Sequence, residues 1–194
     1  MGHQLPAVRL SKTCAAPPEA VYDMLADLHS HLHWGGEKQR RDFRILSLEA
    51  PDGPATVGTT FATTGAIPMS GKRWEDRSTV TAAARPSTFE FLTDARVGSG
   101  HRAMSARYIH RYEVTPVEGG CTVTYTQTQE RITNPMLRLA LPVIRQMMWR
   151  VGIPMFAGRG FRNLLRDAEA SAKALSAFLA EAKQQGAGVG ERGA

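Results

Sequence analysis

Tyr108, His110 and Tyr112 stand two residues apart, and Tyr125 and Gln127 repeat that spacing further along the chain. A spacing of two puts side chains on one face of a β-strand. Val114 and Val123 extend the two series, which marks both faces as inward. Arg107, Arg111 and Glu113 then point to solvent, as do Thr122, Thr124 and Thr126. An apolar wall carrying three phenols, an imidazole and an amide is the chemistry of a small-molecule pocket. Taken singly, each tyrosine is more simply an ordinary core residue whose hydroxyl finds a partner. Taken as a set, they suit a pocket lining. His110 is the most interesting titratable group, because imidazole serves as acid, base or hydrogen-bond anchor near neutral pH. A catalytic histidine needs an orienting partner, and the sequence gives none. His110 is therefore a weak catalytic candidate and a better structural or ligand-orienting one.

Two other groups invite chemistry and support it less. His29, His31 and His33 alternate, as ligands converging on a metal can. Only Asp27 stands near them, and on a helix a spacing of two points side chains apart. They are expected at solvent-facing helix ends, with no metal site. Cys14 and Cys121 are too few for a disulfide framework and too isolated for zinc. Cys14 closes the first strand and Cys121 opens the last, so the two meet if those strands pair antiparallel. Buried, reduced thiols are the expectation. Trp34 and Trp74 are candidates for a cavity mouth or for plain core. Trp74 shares a strand face with Asp76, Ser78 and Val80.

The elements that position these residues follow from periodicity. Ala7 to Cys14 alternates weakly and reads as a strand. Pro17 and Pro18 then open a helix, where a missing N–H costs nothing. Val21, Met24, Leu25 and Leu28 form its apolar face. His29 to Trp34 continues as a short second helix or turn, stopped by Gly35-Gly36. From there the period is two: Phe43 to Ala50, Gly58 to Thr64, Lys72 to Ala83, Ser87 to Thr93, Met104 to Thr115 and Cys121 to Glu130. Turn residues separate these strands, and such short connections imply an antiparallel meander. Residues 134–157 read as a helical flap interrupted at Pro142 and Pro154. From about Gly160 an amphipathic helix carries Phe161, Leu164, Leu165, Ala168, Ala172, Leu175, Phe178 and Leu179 on one face. The sheet must cover an apolar face, and this helix is the cover on offer. The expected class is α+β, with about seven strands curved around the C-terminal helix. One domain spans residues 1–185, and a flexible Gly-rich tail spans 186–194.

Composition bounds the partners. The 194 residues are 42% hydrophobic and 22% charged, as in an ordinary globular domain. The net charge is +6. Between Arg131 and Arg166 there is no Asp or Glu, but there is neither a phosphate loop nor aromatic-basic interleaving, so nucleic acid is not expected. The basic apolar segment 136–156 could touch an anionic membrane surface transiently. It is too broken by Arg and Pro to span one. The N-terminus shows no signal peptide, and with the isolated cysteines this points to a cytoplasmic protein.

Four local motifs in this order carry a resemblance. They are Ala16-Pro17-Pro18-Glu19-Ala20-Val21-Tyr22, then Trp34, then Arg85-Pro86-Ser87-Thr88-Phe89-Glu90-Phe91. Last comes Tyr112-Glu113-Val114-Thr115-Pro116 with Gly119-Gly120-Cys121-Thr122-Val123. Together they resemble the START-like (SRPBCC) superfamily, in particular its polyketide cyclase/dehydrase and lipid-transport branch. The resemblance implies the helix-grip fold and an internal cavity between sheet and final helix. Its expected lining is Trp34, Trp74, Phe91, Tyr108, His110, Tyr112, Tyr125, Gln127, Phe161 and Leu165, with Leu164 and Ala168 on the same helical wall. The implied function is binding of a hydrophobic lipid-, polyketide- or isoprenoid-like molecule without a cofactor. A cyclase or dehydratase using the same cavity, or a peripheral lipid carrier, are the alternatives. No dedicated catalytic set of the polyketide cyclases aligns onto this chain, which favours binding. Fold alone does not assign function.

Overall fold

The computed structural model describes residues 7–37, 44–66, 73–98, 103–132, 150 and 153–190. Strand β1 (Ala7–Cys14) leads into helix α1 (Pro18–Ala26) and the one-turn helix α2 (Ser30–Leu32), which runs on into a π-helical segment, His33–Glu37. Six strands follow: β2 (Arg44–Glu49), β3 (Thr60–Ala66), β4 (Arg73–Ala84), β5 (Thr88–Val97), β6 (Met104–Val117) and β7 (Gly120–Ile132). The chain ends in the long helix α3 (Ile153–Gly190). The sheet order is β1-β7-β6-β5-β4-β3-β2, with every neighbour antiparallel. It is the expected meander, closed by β1 against β7, in a curved sheet that grips the last helix.

Local chemistry explains the elements. Pro17 caps α1 from extended backbone, Pro18 occupies its first turn, and Glu19 complements the positive helix end there. Val21, Tyr22, Leu25 and Ala26 are buried, and the Tyr22 ring meets Phe89 edge-on at 6.1 Å. Gly36 lets the π-helical segment lie against β2, since a Cβ there would stand 2.6 Å from the Ile45 carbonyl oxygen. On the convex face the charges pair across strands. Arg107 donates two hydrogen bonds to Asp94, and Arg111 binds Glu90 and Glu113. These are the residues that alternation assigned to solvent.

Helix α3 departs from the expectation at both ends. It starts at Ile153, with Pro154 inside its first turn, rather than near Gly160. Proline is tolerated in a first turn, so the residue read as a break is part of a start. The helix continues to Gly190, through part of the segment read as a tail. Phe161, Leu164, Leu165 and Ala168 are buried, but Leu175, Phe178 and Leu179 are 60%, 66% and 51% exposed. These three do not face the sheet: α3 rises about 1.5 Å per residue and has outrun the domain by then. Its buried stripe packs on α1, β1 and the π-helical segment. Polar ties fix it: Asn163 donates to the Trp34 carbonyl (3.1 Å), and Glu169 accepts from the Ala15 N–H (2.9 Å).

Cys14 and Cys121 are register partners and both are free and buried. Burial pushes the Cys14 thiol up to about 12, so it is unreactive in the folded chain. The expected flap at 134–157 lies mostly outside the described residues. Among the described residues, no helix is long and apolar enough to cross a membrane.

Candidate functional site

The strand register lays the concave face out in rows. Nearest α1, Phe89, Tyr112, Tyr125 and Leu10 lie side by side across four strands. The next row is Val80, Phe91, His110 and Gln127. Then come Phe61, Ser78, Thr93, Tyr108 and Gln129, followed by Thr63, Asp76, Ala95 and Ala106. The outermost row is Gly65, Trp74, Val97 and Met104. The face is aromatic nearest α1, gains Ser, Thr and Asp in its middle rows because neighbouring strands contribute them at matching registers, and is apolar again in the outermost row.

Seven of the expected lining residues converge. His110 lies flat on Phe91, with centroids 4.8 Å apart and planes within 15°. Tyr112 packs on Tyr125 at 4.8 Å, and Phe161 from α3 stacks on Tyr125 at 6.2 Å. Tyr108 approaches His110 at 6.3 Å. A hydrogen-bond relay runs through this group. His110 Nδ1 is 2.8 Å from the Tyr125 hydroxyl, which donates to Gln127 Oε1 at 3.3 Å. Tyrosine has one proton to give, so it accepts from His110, which fixes the imidazole proton on Nδ1. The Nε2 lone pair is left without a hydrogen-bond partner among the described residues. Burial, with His31 adding repulsion, pulls the His110 pKa down to about 4, and the ring is neutral at physiological pH.

The other three expected residues lie apart. Leu165 is buried, and its carbonyl accepts a weak hydrogen bond from the Cys14 thiol at 3.7 Å. Trp34 is buried in the π-helical segment, its indole N–H donating to Ser30 at 3.2 Å. Trp74 is in the outermost row, about 20 Å from His110 along the strand direction. Its indole lies across Gly65: a Cβ on that glycine would stand 2.0 Å from the ring.

Two residues given no site role belong here. His31 is 3% exposed, which corrects the reading of all three helical histidines as solvent-facing; His29 and His33 do keep exposed side chains. It donates from Nε2 to the Leu25 carbonyl at 2.9 Å and packs against Trp34, Phe61 and Phe91. Burial pulls its pKa to about 4. The signal was present in sequence: His31 follows Leu28 by three, extending the apolar stripe of α1.

Asp76 is the second. Its Oδ1 is shielded from water and has no hydrogen-bond partner among the described residues. Burial raises its pKa to about 7. The same carboxylate helps push the Tyr108 phenol, already raised by burial, to about 12. Beside it Ser78 and Thr93 satisfy one another at 2.9 Å. Alternation put Asp76 on the face of Trp74 and Ser78; the register adds Thr63 and Ala95 on either side, and none of the described neighbours bonds to Oδ1. Among the described residues no group of acids, histidines and cysteines could hold a metal.

Comparison with solved structures gives the same architecture. Protein CV1439 from Chromobacterium violaceum aligns with a TM-score of 0.57 at 15% identity, covering 84% of this chain and 98% of that one. Protein Ms6760 from Mycobacterium smegmatis gives 0.58 at 17% identity, covering 88% and 96%. TTHA0849 from Thermus thermophilus gives 0.54 at 18% identity, covering 86% and 99%. At such identities the likeness is one of fold. No curated protein matches the chain in sequence. A family model matches residues 6–169, spanning every strand and the buried half of α3, and the chain belongs to the polyketide cyclase/dehydrase and lipid transport family.

Proposed function

We propose that this chain binds a hydrophobic small molecule on the concave face of the sheet, beneath α3. One observation carries the reading: inward groups keep unspent hydrogen-bonding capacity. Among the described residues, His110 Nε2 and Asp76 Oδ1 have no hydrogen-bond partner, while Phe91 and Tyr125 pack on the His110 ring. Ordinary cores satisfy their buried polar groups. Here His110, Tyr108, Gln127, Asp76 and Trp74 are inward-facing and yet only half-buried, which is the pattern of walls around unfilled room. The expected lining Trp34, Trp74, Phe91, Tyr108, His110, Tyr112, Tyr125, Gln127, Phe161 and Leu165 remains the proposed lining, with Asp76 and His31 added.

The imidazole argues for binding over cyclase or dehydratase chemistry. A base whose pKa is about 4 is unprotonated at neutral pH but takes up a proton weakly. It is better suited to accepting a hydrogen bond from a ligand. The test is fluorescence titration of the delipidated chain with Nile red, together with native mass spectrometry of the protein as purified. One saturable site, or a stoichiometric co-purified lipid-like mass, is expected. Folded protein that shows neither overturns the reading.

A further inference from the structure

Among the described residues, the inward positions of β2 to β7 carry a single acid and no lysine or arginine. That acid is Asp76. The cations of these strands (Arg44, Arg73, Arg77, Arg96, Arg107, Arg111, Arg131) fall on the convex face by alternation and register. The two histidines that share the interior are held uncharged. Asp76 faces Thr63 on one side and Ala95 on the other, with Trp74 and Ser78 on its own strand and Tyr108 one row away. Ser78 is already engaged with Thr93. A carboxylate oxygen shielded from water and unpartnered is a costly arrangement, and the missing partner has to come from outside the described protein groups.

We propose that the ligand is an apolar amine, whose ammonium pairs with Asp76 between Trp74 and Tyr108 and whose hydrocarbon runs along the aromatic rows toward Phe91 and Phe161. This rests on the binding reading above and names the ligand class. An ammonium brings three N–H donors and the opposite charge, so it satisfies both lacks of Asp76 at once. Indole and phenol faces beside the carboxylate attract a cation further. A fatty acid or phosphate headgroup would meet a like charge with no compensating cation among the described inward positions, and an alcohol would supply one neutral hydrogen bond. From the Asp76 row to the Tyr125 row is three steps of two residues, roughly 20 Å of wall, which accommodates an extended hydrocarbon chain.

The experiment displaces Nile red from the full-length chain with decylamine, decanol and decanoate at about pH 8, where Asp76 is ionised. Decylamine is expected to compete at concentrations on the order of tenfold lower than decanol, with decanoate weakest. Asp76→Asn should erase the preference for amine over decanol, and Asp76→Glu should retain it. Thermal melts establish that both variants are folded. Equal competition by amine and alcohol in the wild type, or a preference that survives in Asp76→Asn, overturns the proposal, as does binding of Nile red that no amine displaces. Failure of Nile red itself to bind is a different result: it removes the binding reading and the amine with it.

Discussion

His110 shows how one side chain is committed by its neighbours. The Tyr125 hydroxyl occupies Nδ1, Phe91 covers one ring face, and Nε2 is what remains for a ligand. Replacing His110 with Ala removes that acceptor and leaves the Tyr125 hydroxyl bonded to Gln127. Binding of a ligand that donates to Nε2 should weaken by about 1–3 kcal/mol, with the fold intact by circular dichroism. Unchanged affinity in the variant would take His110 out of the site. At this scale the sequence told which way the residue points and little else. Alternation along Tyr108, His110 and Tyr112 made the face legible. The relay through Tyr125 was not, because it depends on which β7 residue lies opposite, and register is set by turns and bulges rather than by periodicity. Asp76 escaped for the same reason: a carboxylate's isolation is a property of its neighbours on other strands.

Trp74 and Gly65 act as a unit across β4 and β3. The indole lies where the Gly65 side chain would be, so the glycine is required by the ring rather than by backbone conformation. Gly65→Ala must displace the indole, at a cost of about 1–3 kcal/mol in denaturant unfolding, as for other overpacked sites. The tryptophan emission of the folded variant should shift as the ring moves. A stability within about 0.5 kcal/mol of wild type and an unmoved spectrum would show that the indole does not lie there. Strands were the most legible elements because alternation and turn residues bound them on both sides; all seven were placed. Helix α3 was less so. Its stripe from Phe161 to Leu179 is continuous in sequence, but the domain it covers stops near Ala172, where the core's partly buried fringe ends. Periodicity reports that a face is apolar and cannot report where its partner runs out.

For the whole molecule, Asp76, His31 and His110 pull the stability below neutral pH in opposite directions. Asp76 has a folded pKa raised from 3.8 to about 7, so the native chain holds a proton that the unfolded chain has lost in that window. Asp76 therefore makes stability fall as pH rises from about 4 to about 7, and its effect is flat beyond. His31 and His110 have folded pKa values lowered from 6.5 to about 4, so the unfolded chain binds the extra protons. They make stability rise as pH climbs from about 4 to 6.5. Two histidines against one aspartate leave a net rise with pH in the wild type, shallower than the histidines alone would give. Asp76→Asn removes the opposing term and keeps the histidines. A change of about three pH units in one titration point amounts to at most about 4 kcal/mol. Whatever the constant offset of the substitution, the variant should gain on the wild type by up to that amount between pH 4 and 7, with no further gain above. Urea unfolding of both chains across this range measures it. A difference that does not change with pH would mean that Asp76 titrates as an ordinary exposed carboxylate, and that the interior around it is open to water.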